Sequence, residues 1–437
     1  ACPTYNRLGD EADSPRGRLH LMKAVVEGRL DPASDAFRTH IDRCLGCRAC
    51  EPVCPSGVEY GTLLELARHT VSTRGAPQGP LTRSLLLVMA RRPLRGALFL
   101  AGRLLRAVGL PALGARLLPG VGALRSVRLG LAMLAATTPW RPPVASGSVA
   151  AAEESPRPAR TKSAPAAGPG PAPAASPDED ATPQPGGRVG VLVGCVQAGL
   201  YERVNRATVR TLEANGYEVV AVRGQDCCGA LHAHGGDRER AISLARGNVD
   251  AFLAADVELV AVNAAGCGAA MKEYGTLLAD DPDYGERARE LSSRVRDVTE
   301  LLAAAGPRPG AEVRCAVAYD HPCHLLHAQR VERAPLEVLA AVPGLDVRLV
   351  PRADECCGGA GIYGITHPDL GGRIGRDKVE AVRSVDAEVV VTPNPGCMMQ
   401  IGAGLTLEGS REGVAHPVEL LDESYRRAGL YAGEQGR

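Results

Sequence analysis

Gly190-Val191-Leu192-Val193-Gly194-Cys195 reads as a buried strand that ends on a cysteine, and the chain uses this pattern twice. Cys227-Cys228-Gly229 follows, then the apolar run Leu259-Val260-Ala261-Val262, which leads to Asn263-Ala264-Ala265-Gly266-Cys267. The order returns as Val317-Ala318-Tyr319 before Pro322-Cys323, then Cys356-Cys357-Gly358, then Val389-Val390-Val391 and Asn394-Pro395-Gly396-Cys397. The offset is 128 residues from Cys195 to Cys323, 129 from Cys227 to Cys356 and 130 from Cys267 to Cys397. An acid, Asp226 or Glu355, precedes each cysteine pair. Four cysteines and two strands kept at matched spacing make an internal duplication. Helical stretches such as 199–215 and 238–255 alternate with the strands. Each copy, 188–310 and 311–430, is therefore expected to be an α/β layer with a parallel core. Cysteines at the carboxyl ends of strands would then converge on the edge where such sheets bind ligands.

Adjacent cysteines rarely bridge each other, because the peptide between them strains the geometry. Buried structural thiols would not explain two distant cysteines recurring at matched offsets. Four thiolates per half, Cys195, Cys227, Cys228 and Cys267 in the first and Cys323, Cys356, Cys357 and Cys397 in the second, are candidates for further metal or redox sites. Cys315 has no counterpart and reads as a core thiol. Gly359-Ala360-Gly361-Ile362-Tyr363-Gly364 matches a dinucleotide-binding string, yet Pro351-Arg352-Ala353-Asp354-Glu355 stands where a strand should precede it, so a tight loop over the cysteine site is expected. His321, His324 and His327 flank Cys323 and read as hydrogen-bonding strand-end histidines in preference to a ligand or proton carrier.

Upstream, residues 139–187 are Pro, Ala, Gly and Ser with almost no large apolar side chains, the composition of a disordered linker. The formal charge of the whole chain is zero, which gives no global signal for nucleic acid, but it hides an asymmetry. No Asp or Glu occurs between Glu65 and Glu153, whereas twelve arginines do, from Arg68 to Arg141. Within 81–138, leucine-rich stretches alternate with arginine and are broken by Pro93, Pro111 and Pro119, which predicts short amphipathic helices. They could form a packed hairpin with a solvated basic face. The alternative is a surface that docks on a partner or on anionic lipid. Arginines interrupt every apolar run before it reaches the length of a membrane span.

At the other end, Cys44, Cys47, Cys50 and Cys54-Pro55 form C-x2-C-x2-C-x3-C-P, a [4Fe–4S] ligand run in which the fourth cysteine belongs to a neighbouring cluster. Cys2-Pro3 looks like the end of a second such run. Cys2 would complete the cluster of Cys44, Cys47 and Cys50, while Cys54 would serve a cluster whose other ligands lie upstream of residue 1. On this basis the chain as given holds at most one complete ferredoxin-type centre. A zinc ribbon would space two C-x2-C pairs far apart. A disulfide scaffold would need export, and residues 1–30 lack a secretory signal. The fourteen cysteines thus read as metal ligands. Ser14-Pro15 starts a helix carrying Leu19, Met22, Val25 and Val26, and a second helix is expected from Ser56, making residues 1–75 a small, mostly helical domain. The overall class is α+β.

Taken together, Ser14-Pro15-Arg16-Gly17-Arg18, the run from Cys44 through Pro55-Ser56-Gly57-Val58-Glu59-Tyr60-Gly61, the two Cys-Cys-Gly segments, Asn394-Pro395-Gly396-Cys397 and His416-Pro417-Val418-Glu419-Leu420-Leu421 resemble the iron–sulfur subunit of bacterial glycolate oxidase. The resemblance covers 1–75 and 188–427. It implies two [4Fe–4S] clusters that carry electrons from a flavin-binding subunit, which oxidises glycolate to glyoxylate, towards a membrane acceptor such as a quinone. It also implies a cytoplasmic protein, peripheral at the inner face of the cell membrane. The substrate chemistry would belong to the partner, so no catalytic residue is assigned here. Two departures stand out. Only Cys2 of the first ferredoxin run is present. Ala270 and Gln400 also occupy positions where related heterodisulfide reductase subunits complete C-x2-C, which leaves open whether each half holds a conventional cluster, another site or none. Alternatives are the equivalent subunit of a lactate or glycerol 3-phosphate dehydrogenase, or a thiol–disulfide enzyme of the heterodisulfide reductase type.

Overall fold

The computed structural model describes residues 2–75, 79–122, 124–142 and 186–431. Most of the expected linker, 139–187, lies outside the described residues.

Each repeat is built on a four-stranded, all-parallel sheet. The first contains β1 (Arg188–Val191), β2 (Glu218–Val220), β3 (Leu259–Val262) and β4 (Val295–Asp297) in the order β2-β1-β3-β4. The second contains β5 (Cys315–Tyr319), β6 (Leu345–Leu349), β7 (Val389–Val391) and β8 (Gly413–Ala415) in the order β6-β5-β7-β8. The pairing confirms the duplication, since Val189 stands opposite Leu259 in one sheet and Val317 opposite Val389 in the other. Central strands flanked by helices are apolar on both faces, which is why β3 and β7 are unbroken Leu/Val/Ala and Val runs. The expected helices fall at Glu202–Ala214 and Arg238–Ala254. One detail differs from expectation. β1 stops at Val191, Gly194 turns at φ +65°, and Cys195 opens a short helix instead of ending a strand.

The halves share a core. One set of mutually packed buried residues includes Val189, Val191 and Leu212 of the first repeat with Val382, Val390 and Leu421 of the second. Each such side chain contributes roughly 2 kcal/mol on burial. Polar contacts fix the same seam. Arg203 Nε bonds Glu419 at 2.6 Å, Arg210 reaches Asp422 at 2.8 and 2.6 Å, and Asn215 Nδ2 donates to Tyr425 Oη at 3.0 Å.

The N-terminal domain is helical, with Pro3–Leu8, Pro15–Val26, Asp35–Asp42 and Tyr60–Arg74 around Phe37, Ile41, Tyr60 and Leu64. Ser14 caps the second helix by accepting from Gly17 N at 2.9 Å, with Pro15 in the first turn. The last helix starts at Tyr60, later than the expected Ser56, because Gly57 turns the chain at φ +61°. This domain rests on both repeats. Tyr363 Oη donates to Arg43 O at 2.9 Å, Arg48 pairs with Glu273, and Glu65 meets His234 at 3.0 Å.

Between them lies a lobe of four helices, α1 (Pro80–Ala90), α2 (Arg92–Ala107), α3 (Leu110–Leu117) and α4 (Leu124–Ala136). Pro93 and Pro111 sit in first turns, where a missing N–H costs nothing. A solvated basic face is not what α2 presents. Its half-buried positions are Arg95, Phe99, Gly102 and Arg106, and its leucines point outward. The cause is ionic. Arg92 and Arg95 both bind Asp226, at 2.7 and 2.5 Å, and Arg106 donates to Thr137. Among the described residues no single helix is long and apolar enough to cross a membrane.

Candidate metal centres

Three groups of thiols emerge, and all fourteen cysteines are free. In the first, Cys2 stands at the start of helix Pro3–Leu8, and Cys44, Cys47 and Cys50 lie in the loop after Asp35–Asp42. Their proximity shows in the charges they exert on one another. Burial pushes the Cys47 thiol well above its ordinary value, and Cys323, Cys44 and Cys2 add to the effect. Burial also drives Cys50 up to about 12, helped by Cys44 and Cys2. Buried thiolates of this kind need a cation. The surrounding donors suit one, with Gly46 N donating to Cys44 Sγ at 3.4 Å, Tyr60 Oη lying 3.6 Å from the same sulfur, and Arg18 Nη1 donating to Cys2 Sγ at 3.8 Å. Arg18 is itself fully buried, paired with Asp13 at 3.0 Å and bonded to His40 O at 2.7 Å. Four thiols surrounded by hydrogen-bond donors fit an iron–sulfur cluster.

Cys54 is not brought into this group. It is half-buried, and backbone amides of Val58, Ser56 and Gly57 hold its thiol below the ordinary value.

The remaining groups are the two repeat quartets, and the strand ends do converge as expected. Cys195 and Cys267 follow β1 and β3, Cys323 and Cys397 follow β5 and β7, and these adjacent strands are where the order of each sheet reverses. Within the first quartet, thiol hydrogen bonds link Cys195 to Cys227, Cys227 to Cys228 and Cys228 to Cys267. In the second they link Cys323 to Cys356, Cys356 to Cys357 and Cys357 to Cys397. Shared hydrogen bonds depress Cys227 and Cys357 and raise their partners. All eight cysteines line a single cavity of about 290 Å³, closed on one side by Met89, Leu98, Phe99 and Met133 of the lobe. Loops of the two repeats meet there, with Ala265 N donating to Pro393 O at 3.2 Å and Gly266 N to Asn394 Oδ1 at 3.2 Å. Soft thiolates alone make up each quartet, again a donor set suited to iron–sulfur chemistry.

Several other sequence expectations meet the structure here. Cys315 is a buried strand residue packed with Val317, Tyr319 and Leu339, away from either quartet. His324 Nε2 contacts Gly46 O at 2.9 Å and His327 Nε2 contacts Asp354 O at 2.9 Å, as hydrogen-bonding histidines should, whereas His321 departs from that expectation, its buried Nδ1 having no hydrogen-bond partner among the described residues. The glycine string is a turn, with Ala360 and Gly361 at φ +37° and +68° against the cavity. Gln400 does not line the cavity and packs instead against Gly359, Gly364 and Gly375, where any Cβ would collide with it.

Sequence reasoning missed Lys378. Its ammonium is buried and donates to Asp320 Oδ1 at 2.7 Å and Arg352 O at 2.9 Å, beside Cys356 and Cys357. Burial pushes the Asp320 carboxyl up to about 7, against the pull of Lys378. The only signal was a lone lysine among Ile374, Val379 and Val382 on an otherwise apolar helix face.

The family model for a 4Fe-4S dicluster domain matches residues 1–58, and that for a cysteine-rich domain matches 189–272 and again 317–402. The probable glycolate oxidase iron–sulfur subunit of Bacillus subtilis strain 168 is 34% identical, over 98% of this chain and 91% of that protein. The glycolate oxidase iron–sulfur subunit of Escherichia coli K12 is 33% identical over the same shares. Lactate utilization protein A of an Exiguobacterium strain is 28% identical over 55% of this chain and 99% of that protein. The cofactors that these domains imply are [4Fe–4S] clusters, and the thiol groups described above fit them. The chain therefore belongs to the family of glycolate oxidase iron–sulfur subunits.

Proposed function

We propose that this chain is the electron-carrying subunit of a flavin-dependent glycolate dehydrogenase. A flavin-binding partner would take two electrons and two protons from the CH–OH group of glycolate, yielding glyoxylate, and this subunit would pass the electrons towards a membrane quinone. Cys2, Cys44, Cys47 and Cys50 would hold one [4Fe–4S] cluster, and the repeat quartets would hold further iron–sulfur centres. Bound there, such a cluster takes up and releases single electrons. Cys54 would ligate only where a complete second ferredoxin run is present.

One observation carries this reading. Cys47 of the first group and Cys323 of the second repeat pack against the same side chains, Leu45, Cys356, Tyr363 and Ile374. Two metal-ligating groups are thereby neighbours inside one body, as a relay needs. His324 ties them together through Gly46.

The test is anaerobic purification with the flavin-binding partners, followed by addition of glycolate. Bleaching of the iron–sulfur absorption by glycolate, and only with the partner present, is expected. Bleaching by lactate alone would move the assignment to a lactate dehydrogenase. Failure of either substrate to reduce an intact centre would contradict the relay.

A further inference from the structure

We propose that α2 and α3 form a docking face for a bilayer rich in anionic lipid. The face is an amphipathic helix turned inside out. Along α2, Arg95, Phe99, Gly102 and Arg106 recur at helical spacing and meet the body of the protein, Phe99 against Gly199 and Gly102 against Leu134. The opposite side presents Leu94, Leu104 and Val108 to solvent, Leu98 and Leu105 are exposed on its flank, and α3 carries the exposed Leu113 and Leu117. Leu104 is 62% exposed, Val108 70% and Leu117 73%. Exposed leucines and valines repeated along two consecutive helices are more than an ordinary scattering of single surface residues.

Its chemistry favours lipid over protein. The exposed large apolar side chains of the lobe are all Leu and Val, whereas protein interfaces concentrate aromatic residues inside a rim of mixed charge. Arg83, Arg91 and Arg116 stand exposed on the same lobe, and the chain has no acid between Glu65 and Glu153 to repel an anionic surface. Aliphatic residues flanked by arginines are the composition of interfacial helices. Together α2 and α3 have the length and composition of a span, but they meet at 80°, and among the described residues no single helix is long and apolar enough to cross a membrane. Leu98 is half-exposed and also lines the cysteine cavity, which places the cavity wall at the proposed lipid contact. This deepens the proposed delivery of electrons to a membrane acceptor and rests on that reading for its purpose, though not for its geometry.

The experiment is co-sedimentation of the full chain, carrying its clusters, with vesicles of phosphatidylcholine alone or mixed with phosphatidylglycerol. Partition into the mixed vesicles should be about tenfold higher and should fall as salt is added. Leu104→Asp with Leu117→Asp should bring binding to background. Arg91→Glu with Arg116→Glu should remove the preference for phosphatidylglycerol. Circular dichroism and iron content establish that these variants fold. In a separate Leu104→Trp chain, brominated lipid should quench the new fluorescence, a readout that needs no destabilising change. Absence of binding to either vesicle overturns the proposal, as does a Leu104→Trp signal quenched by the flavin-binding partner and not by lipid. Loss of the cluster signals with vesicle binding intact would count against the relay alone, and the reverse result against the docking face alone.

Discussion

Cys2 is held in place by more than its peptide. Thr4 Oγ1 lies 3.2 Å from its sulfur, Arg18 donates to it, and Arg18 is anchored by the buried Asp13. Cys2→Ser and Cys50→Ser should each abolish the cluster of the first thiol group, read as lost iron and lost absorption, whereas Cys54→Ser should leave that cluster unchanged. Arg18→Met should destabilise the domain by about 3 kcal/mol in urea unfolding, because Asp13 then loses its fully buried partner. The same magnitude, about 3 kcal/mol, is expected for Lys378→Met, which strands Asp320 beside the second quartet. At this scale the sequence exposed the ligands because thiol spacing is short-range chemistry. It concealed Lys378 because the partner, Asp320, lies 58 residues away, and only the fold shows that both are buried.

Among the elements, helix Pro417–Arg427 carries a pH-sensitive cap. His416 Nδ1 accepts from Val418 N at 3.2 Å, and Glu419 completes the capping box by accepting from His416 N. Burial pushes the His416 imidazole down to about 3 from an ordinary 6.5, so the folded state binds the neutral form. A depressed histidine contributes stability that is present above 6.5 and lost as pH falls from 6.5 towards 3, by at most on the order of 5 kcal/mol. Glu419, raised by burial, works in the opposite direction, so the comparison is between the wild type and His416→Asn. The variant should show the shallower loss of urea midpoint between pH 6.5 and 4.5, and equal slopes would refute the assignment. Strands β1, β3, β5 and β7 were legible as apolar runs before cysteines. β4 and β8 went unread because their three residues, Val-Arg-Asp and Gly-Val-Ala, lack the unbroken apolar run that made the equally short β7 legible. The outward leucines of α2 were hidden for a different reason. Amphipathic spacing says that a helix has two faces, and only the Asp226 contacts decide which one turns inward.

The molecule as a whole brings three thiol groups into one body. The repeats share a core, and the N-terminal domain touches both, through Glu273 and His234 of the first and His324 and Tyr363 of the second. Helices Glu202–Ala214 and Pro417–Arg427 should therefore show closely matched amide-exchange protection, although they belong to different repeats. Independent opening of the two would contradict the shared core. The most direct test of the central claim is low-temperature electron paramagnetic resonance on the anaerobically reconstituted, dithionite-reduced full chain, with metal analysis of the same sample. Signals of reduced [4Fe–4S] clusters, with the component that belongs to the first thiol group lost on replacement of Cys44 or Cys47, are the expected result. A chain that binds only zinc and shows no such signal would contradict it.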